Sequence, residues 1–350
     1  MTNSVTLLDK RNKRRKYWLL YNSTESVGGD GWALVTDQHS WSFTITFRGG
    51  IVREATNPDS YDSIASKLAE ARFKPLSKCH YKFLSPVEKL SEPKTHAPWE
   101  KSTCPAVTVR LKDILNESGK SCRPVFNEIK KAGSIHAHLG FEGNVILSSV
   151  MPDKMIDGFT KERFAEIVDE LKPNYWMTSD GETYNKEPNL SEVEINRMMD
   201  ETKYMLDNAG KSKAIGLVKG CNPEQIGKHI DMLGDFGIED LVFHTGDFLA
   251  RGSNEETTKA REYTRQIRKK ARMLLLYGIG IQIPDFFVAD GFITQSHYSN
   301  AFYGQKLIGE KWVDSDNTDN RDTIMDNLSG LDKLVIKRQA SHLSNWVVGR

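Results

Sequence analysis

Short apolar runs and longer amphipathic stretches alternate over the second two-thirds of the chain. The runs NVILSS, NYWMTS, AIGLVKG, DLVFHTG, MLLLYGIG and FFVADGFI predict strands, and the stretches 160–171, 190–209, 223–236 and 254–272 predict helices. AVTVRLKDIL and RPVFNEIKKAG supply a first strand and helix, and 321–350 reads as helix. Strands that alternate with helices argue for a parallel sheet, so the expected fold is α/β, a (β/α)8 TIM-like barrel spanning 105–350. Almost every predicted strand runs into a polar, Gly-rich or acidic segment. In such a barrel these strand ends share one rim, where chemistry collects.

The first third has a different period. Residues 17–85 hold KYWLLYN, GWALVT and SFTITF, separated by the turn-forming stretches STESVGGDG and RGG, which predicts a small β-rich module. A helix follows from Asp59 or Ser60 with Ile64, Leu68 and Ala71 on one face, and KCHYKFL closes the module. Residues 86–104 carry three prolines and no steady period, and read as a linker. Ahead of the module, residues 1–16 concentrate Lys10, Arg11, Lys13, Arg14, Arg15 and Lys16 in a basic arm, which suits phosphate contact or simple solvation.

Composition narrows the class. The 350 residues are 38% hydrophobic and 27% charged with a net charge of +1, a balance that suits a large core with room for a smaller domain. The longest apolar runs fall far short of a membrane span, and no apolar signal segment follows the first charges, so the expectation is a cytoplasmic protein. Cys79, Cys104, Cys122 and Cys221 are widely spaced with no CxxC pair, which predicts neither a disulfide framework nor a compact metal site.

Candidate chemistry lies at the strand ends. Asp180 and Glu182 follow NYWMTS, where acceptor-only carboxylates could take N–H donors from a purine-like base or cap the next helix. Lys219 and Gly220 end another strand, and His244, Thr245, Gly246 and Asp247 a third. Asp290 is read as the acid at the end of the last strand. The methionines of the Ser191–Asn208 helix are expected to pack.

In this order, SDGETY (179–184), IGLVKGC (215–221), VFHTGDF (242–248), YGIG (277–280) and VADGF (288–292) resemble the strand-end motifs of the tRNA-guanine transglycosylase superfamily. SIHAHLGFEGNVILSS (134–149) is similar to that family's His-containing segment leading into a strand. The resemblance covers roughly 130–306. It implies a base-exchange glycosyltransferase in which Asp290 is the nucleophile that holds the sugar covalently. Asp180, Glu182, Lys219, Gly220, His244, Gly246 and Gly278 would surround the base, with no cofactor.

The departures carry information too. Ser148 and Ser149 stand where the family has its acid/base aspartate, so Asp153, Glu182 or Asp247 is expected to move the proton. Lys219 replaces a glutamine, and the family's zinc cluster has no counterpart beyond Ser341 and His342, so no metal is expected. The N-terminal module is similar to the WGR domain of DNA-acting proteins, with Arg48, Gly49 and Gly50 as the nearest equivalent of its core. The resemblance therefore points to the DNA-acting branch, which exchanges guanine for a 7-deazaguanine such as preQ0. Lys13, Arg14, Arg15, His297 and Lys306 are the expected nucleic-acid contacts, and a homodimer is expected. The alternatives are a tRNA-acting enzyme, a non-catalytic nucleic-acid-binding barrel, or a glycosidase that removes a modified base.

Overall fold

A computed structural model describes, with side chains, most of 82–88, 104–183, 187–249, 253–286, 288–315 and 321–335. It describes the backbone alone for the N-terminal strands and for the helix Asn320–Val348 beyond residue 335. The predicted helix near 59–71, the Arg48–Gly50 turn, Lys13 and Cys79 lie outside the described residues. The chain divides into two units, Met1–Phe83 with Asp332–Arg350, and Leu84–Leu331.

In the first unit, β1 (Thr2–Leu8), β2 (Arg14–Leu20), β3 (Gly31–Thr36), β4 (Trp41–Thr46) and β5 (Val52–Thr56) form an antiparallel sheet in sequence order. The strands expected from the alternating stretches are present. The basic arm is corrected in part, because Leu8 pairs with Arg14, Leu7 with Arg15 and Thr6 with Lys16. Arg14 and Arg15 thus belong to a strand, where their N–H and C=O groups can enter a ladder.

The second unit is the barrel. Its strands are β6 (Phe83–Pro86), β7 (Ala106–Arg110), β8 (Asn144–Ser148), β9 (Tyr175–Met177), β10 (Lys213–Val218), β11 (Asp240–His244), β12 (Met273–Tyr277) and β13 (Gly291–Thr294). The sheet order is β6-β13-β12-β11-β10-β9-β8-β7, and the register runs parallel from β7 through β13. Its two ends meet where Val87 bridges Thr108 in parallel, with Val87 N donating to Thr294 O and Glu88 N to Thr108 O, both at 2.8 Å. Helices lie between the strands, and the result is a nearly closed (β/α)8 TIM barrel.

Two boundaries differ from the sequence reading. Phe83–Pro86 is a barrel strand rather than the close of the N-terminal module, and Val87 and Glu88, read as linker, seal the barrel. A four-residue run does not say which sheet it will join. The final strand also begins later than expected. Ile283–Phe286 forms a 3-10 turn and Asp290 precedes β13 instead of ending a strand.

Local signals set the helices that carry each strand back. Thr160, Asn222 and Ser253 each accept a backbone N–H at the start of the helices Lys161–Leu171, Pro223–Asp235 and Asn254–Arg268. Lys172 ends the first of these at φ 52°. Between sheet and helices, Val107, Val109, Val145, Leu147 and Trp176 pack with Ile129, Phe164 and Ile167. Trp176 meets Phe164 edge-on at 5.8 Å. Because side chains alternate across a strand, this outward set sends the intervening residues into the barrel. Ser85 and Thr108 accordingly share a 2.9 Å hydrogen bond there.

Candidate functional site

The same alternation decides what faces inward at the C-terminal mouth. Arg110 on β7, Ser148 on β8, Ser179 just past β9, Lys219 just past β10, His244 on β11, Tyr277 on β12 and Gln295 just past β13 all share the inward parity. Every one is polar. The contacts agree: His244 meets Tyr277 edge-on at 5.2 Å, Ser148 hydrogen-bonds Tyr277, and Arg110 Nη1 donates to Gln295 Oε1 at 2.9 Å.

One side of this mouth is held by charge. Lys219 Nζ lies 2.9 Å from Asp180 Oδ1, with both side chains largely buried. Asp180 also accepts from Met151 N at 3.2 Å and from Gly181 N at 2.9 Å, so its carboxylate meets three donors. Asp153, at the start of the loop helix after β8, hydrogen-bonds Glu182. That bond, followed by burial and the negative charges of Glu182 and Asp180, pushes Asp153 up to about 6. Two carboxyls that share a proton beside an ion pair make a group able to give or take a proton near neutral pH.

The other side is a closed network. Arg110 pairs with Asp113 through Nε at 2.7 Å and Nη2 at 2.9 Å, and Nη1 reaches the Tyr298 hydroxyl at 2.5 Å. Burial pushes Tyr277 up to about 12, so it stays a neutral hydroxyl. Between the two sides, Gly246 and Gly278 let the loops after β11 and β12 touch. A Cβ on Gly278, which sits at φ +82°, would lie 2.9 Å from Gly246 Cα. Gly220 likewise has no room, since a Cβ there would sit 2.8 Å from Ile226 N.

The mouth therefore gathers Asp153, Asp180, Glu182, Lys219, Gly220, His244, Gly246 and Gly278 from the sequence reading. Asp247 lies in the turn Gly246–Leu249, and its side chain is outside the described residues. Asp290 is elsewhere. Its N–H donates to Leu274 O and its Oδ2 accepts from Leu274 N, both at 2.8 Å, at the beginning of β12. In a parallel barrel that is the N-terminal end, on the order of 15 Å from the mouth by strand rise. The expectation of a strand-end acid facing Asp180 is thereby corrected. The VAD segment that reads as strand is a turn, and the acid closes it.

Of the expected nucleic-acid contacts, His297 changes, while Lys306 stays partly exposed. His297 is buried, with its ring edge-on to Tyr298 and its carbonyl accepting from Asn327 Nδ2 at 3.1 Å. Lys306 is partly exposed on the strand Gln305–Ile308 and pairs with Asp326 at 2.7 Å. Sequence reading missed Arg110, Tyr277, Gln295 and Tyr298. The signal was present for Arg110, which ends the alternation AVTVR on the face opposite Val107 and Val109. Among the described residues no three His, Cys, Asp or Glu side chains converge as a metal site, and no helix is long and apolar enough to cross a membrane. Cys122 and Cys221 carry unbridged thiols.

No protein-family model matches the chain, and no curated protein matches it. Solved structures with similarity include CutC of Streptococcus agalactiae, described as a copper homeostasis protein, at 11% identity and TM-score 0.38, covering 61% of this chain and 98% of that one. N-acetylneuraminate lyase of Mycoplasma synoviae is 13% identical with TM-score 0.39, covering 77% and 81% respectively. The Fusobacterium nucleatum lyase is 11% identical with TM-score 0.40, covering 76% and 77%. Similarity at this level carries nothing about chemistry.

Proposed function

We propose that the C-terminal mouth binds a nucleobase and exchanges it at a glycosidic bond, guanine for a 7-deazaguanine such as preQ0, with DNA as the polymer and tRNA as the alternative. The observation that carries this reading is the Asp180–Lys219 pair beside the hydrogen-bonded Asp153 and Glu182. Asp180 offers an acceptor edge and Lys219 a donor, the complement of a base edge that alternates N–H and C=O groups. The C1′–N bond to the departing base breaks as Asp153 and Glu182 supply that base with a proton, and the C1′–N bond to the incoming base forms as that base returns a proton to the pair. Asp290 has no part in this step, because its carboxylate is held at the opposite end of the barrel. A base reaching the mouth must leave its stack, at a cost of a few kcal/mol, which phosphate contacts offset.

A second reading, a nucleic-acid-binding barrel without catalysis, is favoured by that same placement of Asp290. One experiment separates them. The protein is incubated with labelled guanine or preQ0 and either duplex DNA or tRNA, while calorimetry follows binding of the free base. Incorporation into one polymer supports base exchange on it, and binding of base without incorporation supports the silent barrel. Neither incorporation nor binding removes the nucleobase reading altogether.

A further inference from the structure

Two side chains outside the mouth grip the ion pair from behind. His229, on the helix Pro223–Asp235 that follows β10, is 1% exposed, and its Nδ1 lies 3.0 Å from Lys219 N and 3.1 Å from Lys219 O. Either tautomer ties the imidazole to the Lys219 backbone. In one, Nδ1 accepts the N–H; in the other it donates to the carbonyl. Nε2 has no partner in either case, so a buried polar ring is kept with half its hydrogen-bonding capacity unused. Such a group is costly and calls for a reason.

The second grip comes from Arg197 on the helix Pro188–Asn208. Its Nη2 donates to the Asp180 carbonyl at 2.9 Å and to Glu194 Oε2 at 2.9 Å, while Nη1 reaches Glu201 at 2.5 Å. The two glutamates fix the guanidinium plane, so Arg197 acts as a rigid bracket. The loop lies close beneath it: a Cβ on Gly181 would sit 3.1 Å from Arg197 Nη2 and 2.9 Å from Met198 Sδ. One helix therefore holds the backbone of Lys219 and another the backbone of Asp180. Neither bracket touches the charged atoms of the pair.

The geometry points to His229 and Arg197 as positioning residues that set Lys219 against Asp180, each acting through its partner's backbone. The ring nitrogen at the δ position is the functional atom of His229. Asn carries an amide near that position, whereas Gln carries one nearer Nε2. The inference rests on the proposed base-binding mouth only for what the pair does, and its test needs no ligand.

The amine of Lys219 is probed in the full-length protein by brief acetic anhydride labelling and mass spectrometry, with the exposed Lys154 as internal reference. In the parent, Lys219 should label slowly relative to Lys154. His229→Leu and Arg197→Met should each raise relative labelling of Lys219 by about five-fold or more, the equivalent of loosening the pair by roughly 1 kcal/mol. His229→Asn should restore slow labelling and His229→Gln should not. That ordering keeps the test open even if His229→Leu fails to fold. Unchanged labelling in folded His229→Gln and Arg197→Met, or equal labelling in the Asn and Gln variants, would overturn the assignment. Guanine binding by calorimetry in the same variants is read separately. If labelling follows the expected order while the parent binds no guanine, the positioning roles stand and the base reading fails.

Discussion

Arg268 Nη1 donates to Asp290 Oδ2 at 2.5 Å, and that carboxylate oxygen also accepts from Leu274 N. The pair ties the end of the helix Asn254–Arg268 to the beginning of β12 and the approach to β13. It is a bracket at the N-terminal end of the barrel. Asp290→Asn should therefore lower stability by about 1 kcal/mol, a value discounted for the partial exposure of the pair. Urea denaturation gives the change, and base binding at the mouth should be unaltered. Loss of base exchange in a fully folded Asp290→Asn protein would return the nucleophile role to this residue and refute the reading of the mouth.

Breaking the mouth pair should cost more than breaking the bracket. Lys219→Met leaves a buried carboxylate with two backbone donors and no cation, and the expected loss is about 2–4 kcal/mol. Adding Asp180→Asn removes the stranded charge, so the double variant should be more stable than Lys219→Met alone. A double-mutant cycle from urea midpoints measures the coupling. Strict additivity would mean that the two groups do not interact in solution.

The two loops that meet at Gly246 and Gly278 leave no room for a methyl group. Gly278→Ala combines a positive φ with a contact at 2.9 Å and should destabilise by about 2 kcal/mol or more. Gly133→Ala is the control, because its positive φ is shared but nothing lies within 4 Å of its Cβ position. Similar thermal shifts for both would attribute the whole effect to backbone conformation and none to the loop contact.

Acid should weaken the barrel through His229. Burial holds its imidazole at about 4 against an ordinary 6.5. A depressed folded value means that the stability is fully present above about 6.5 and is lost as pH falls toward 4, on the order of 3 kcal/mol in all. Asp153 has the opposite sign. Its folded value of about 6 lies above the ordinary 3.8, so its contribution is present below 3.8 and lost as pH rises through 6. Asp153→Asn keeps a hydrogen-bonding group without the repulsion. It should therefore raise Tm above pH 6 by about 1–2 °C, discounted for solvent screening. A Tm series from pH 4 to 8 checks both slopes, and a flat difference curve for Asp153→Asn would mean that no proton is shared with Glu182.

Much of the barrel was legible because its signals are local. The runs NVILS and MLLLY are long and apolar enough to be strands, and Thr160, Asn222 and Ser253 announce the helices after them. The strand-end motifs of Asp180, Lys219 and His244 were legible for the same reason. Phe83–Pro86 was not, since four residues carry no period that names a partner sheet. Asp290 misled for a related reason. FFVADGFI has the composition of a strand, yet only its last part pairs with β12.

The sequence by itself determined the alternation of strand and helix, the parallel class that follows from it, and the polar character of the strand ends. Those depend on residues within a few positions of one another. Which residues share the mouth was decided by tertiary structure, because strand parity and barrel closure involve partners far apart in the chain. Arg110 reaches Gln295 across 185 positions, and His229 finds Lys219 only when a helix folds back over its own strand. The same closure put Asp180 at one end of the barrel and Asp290 at the other. Whether an acid begins a strand or ends one is fixed by which backbone groups it pairs with, and that pairing exists only in the folded sheet.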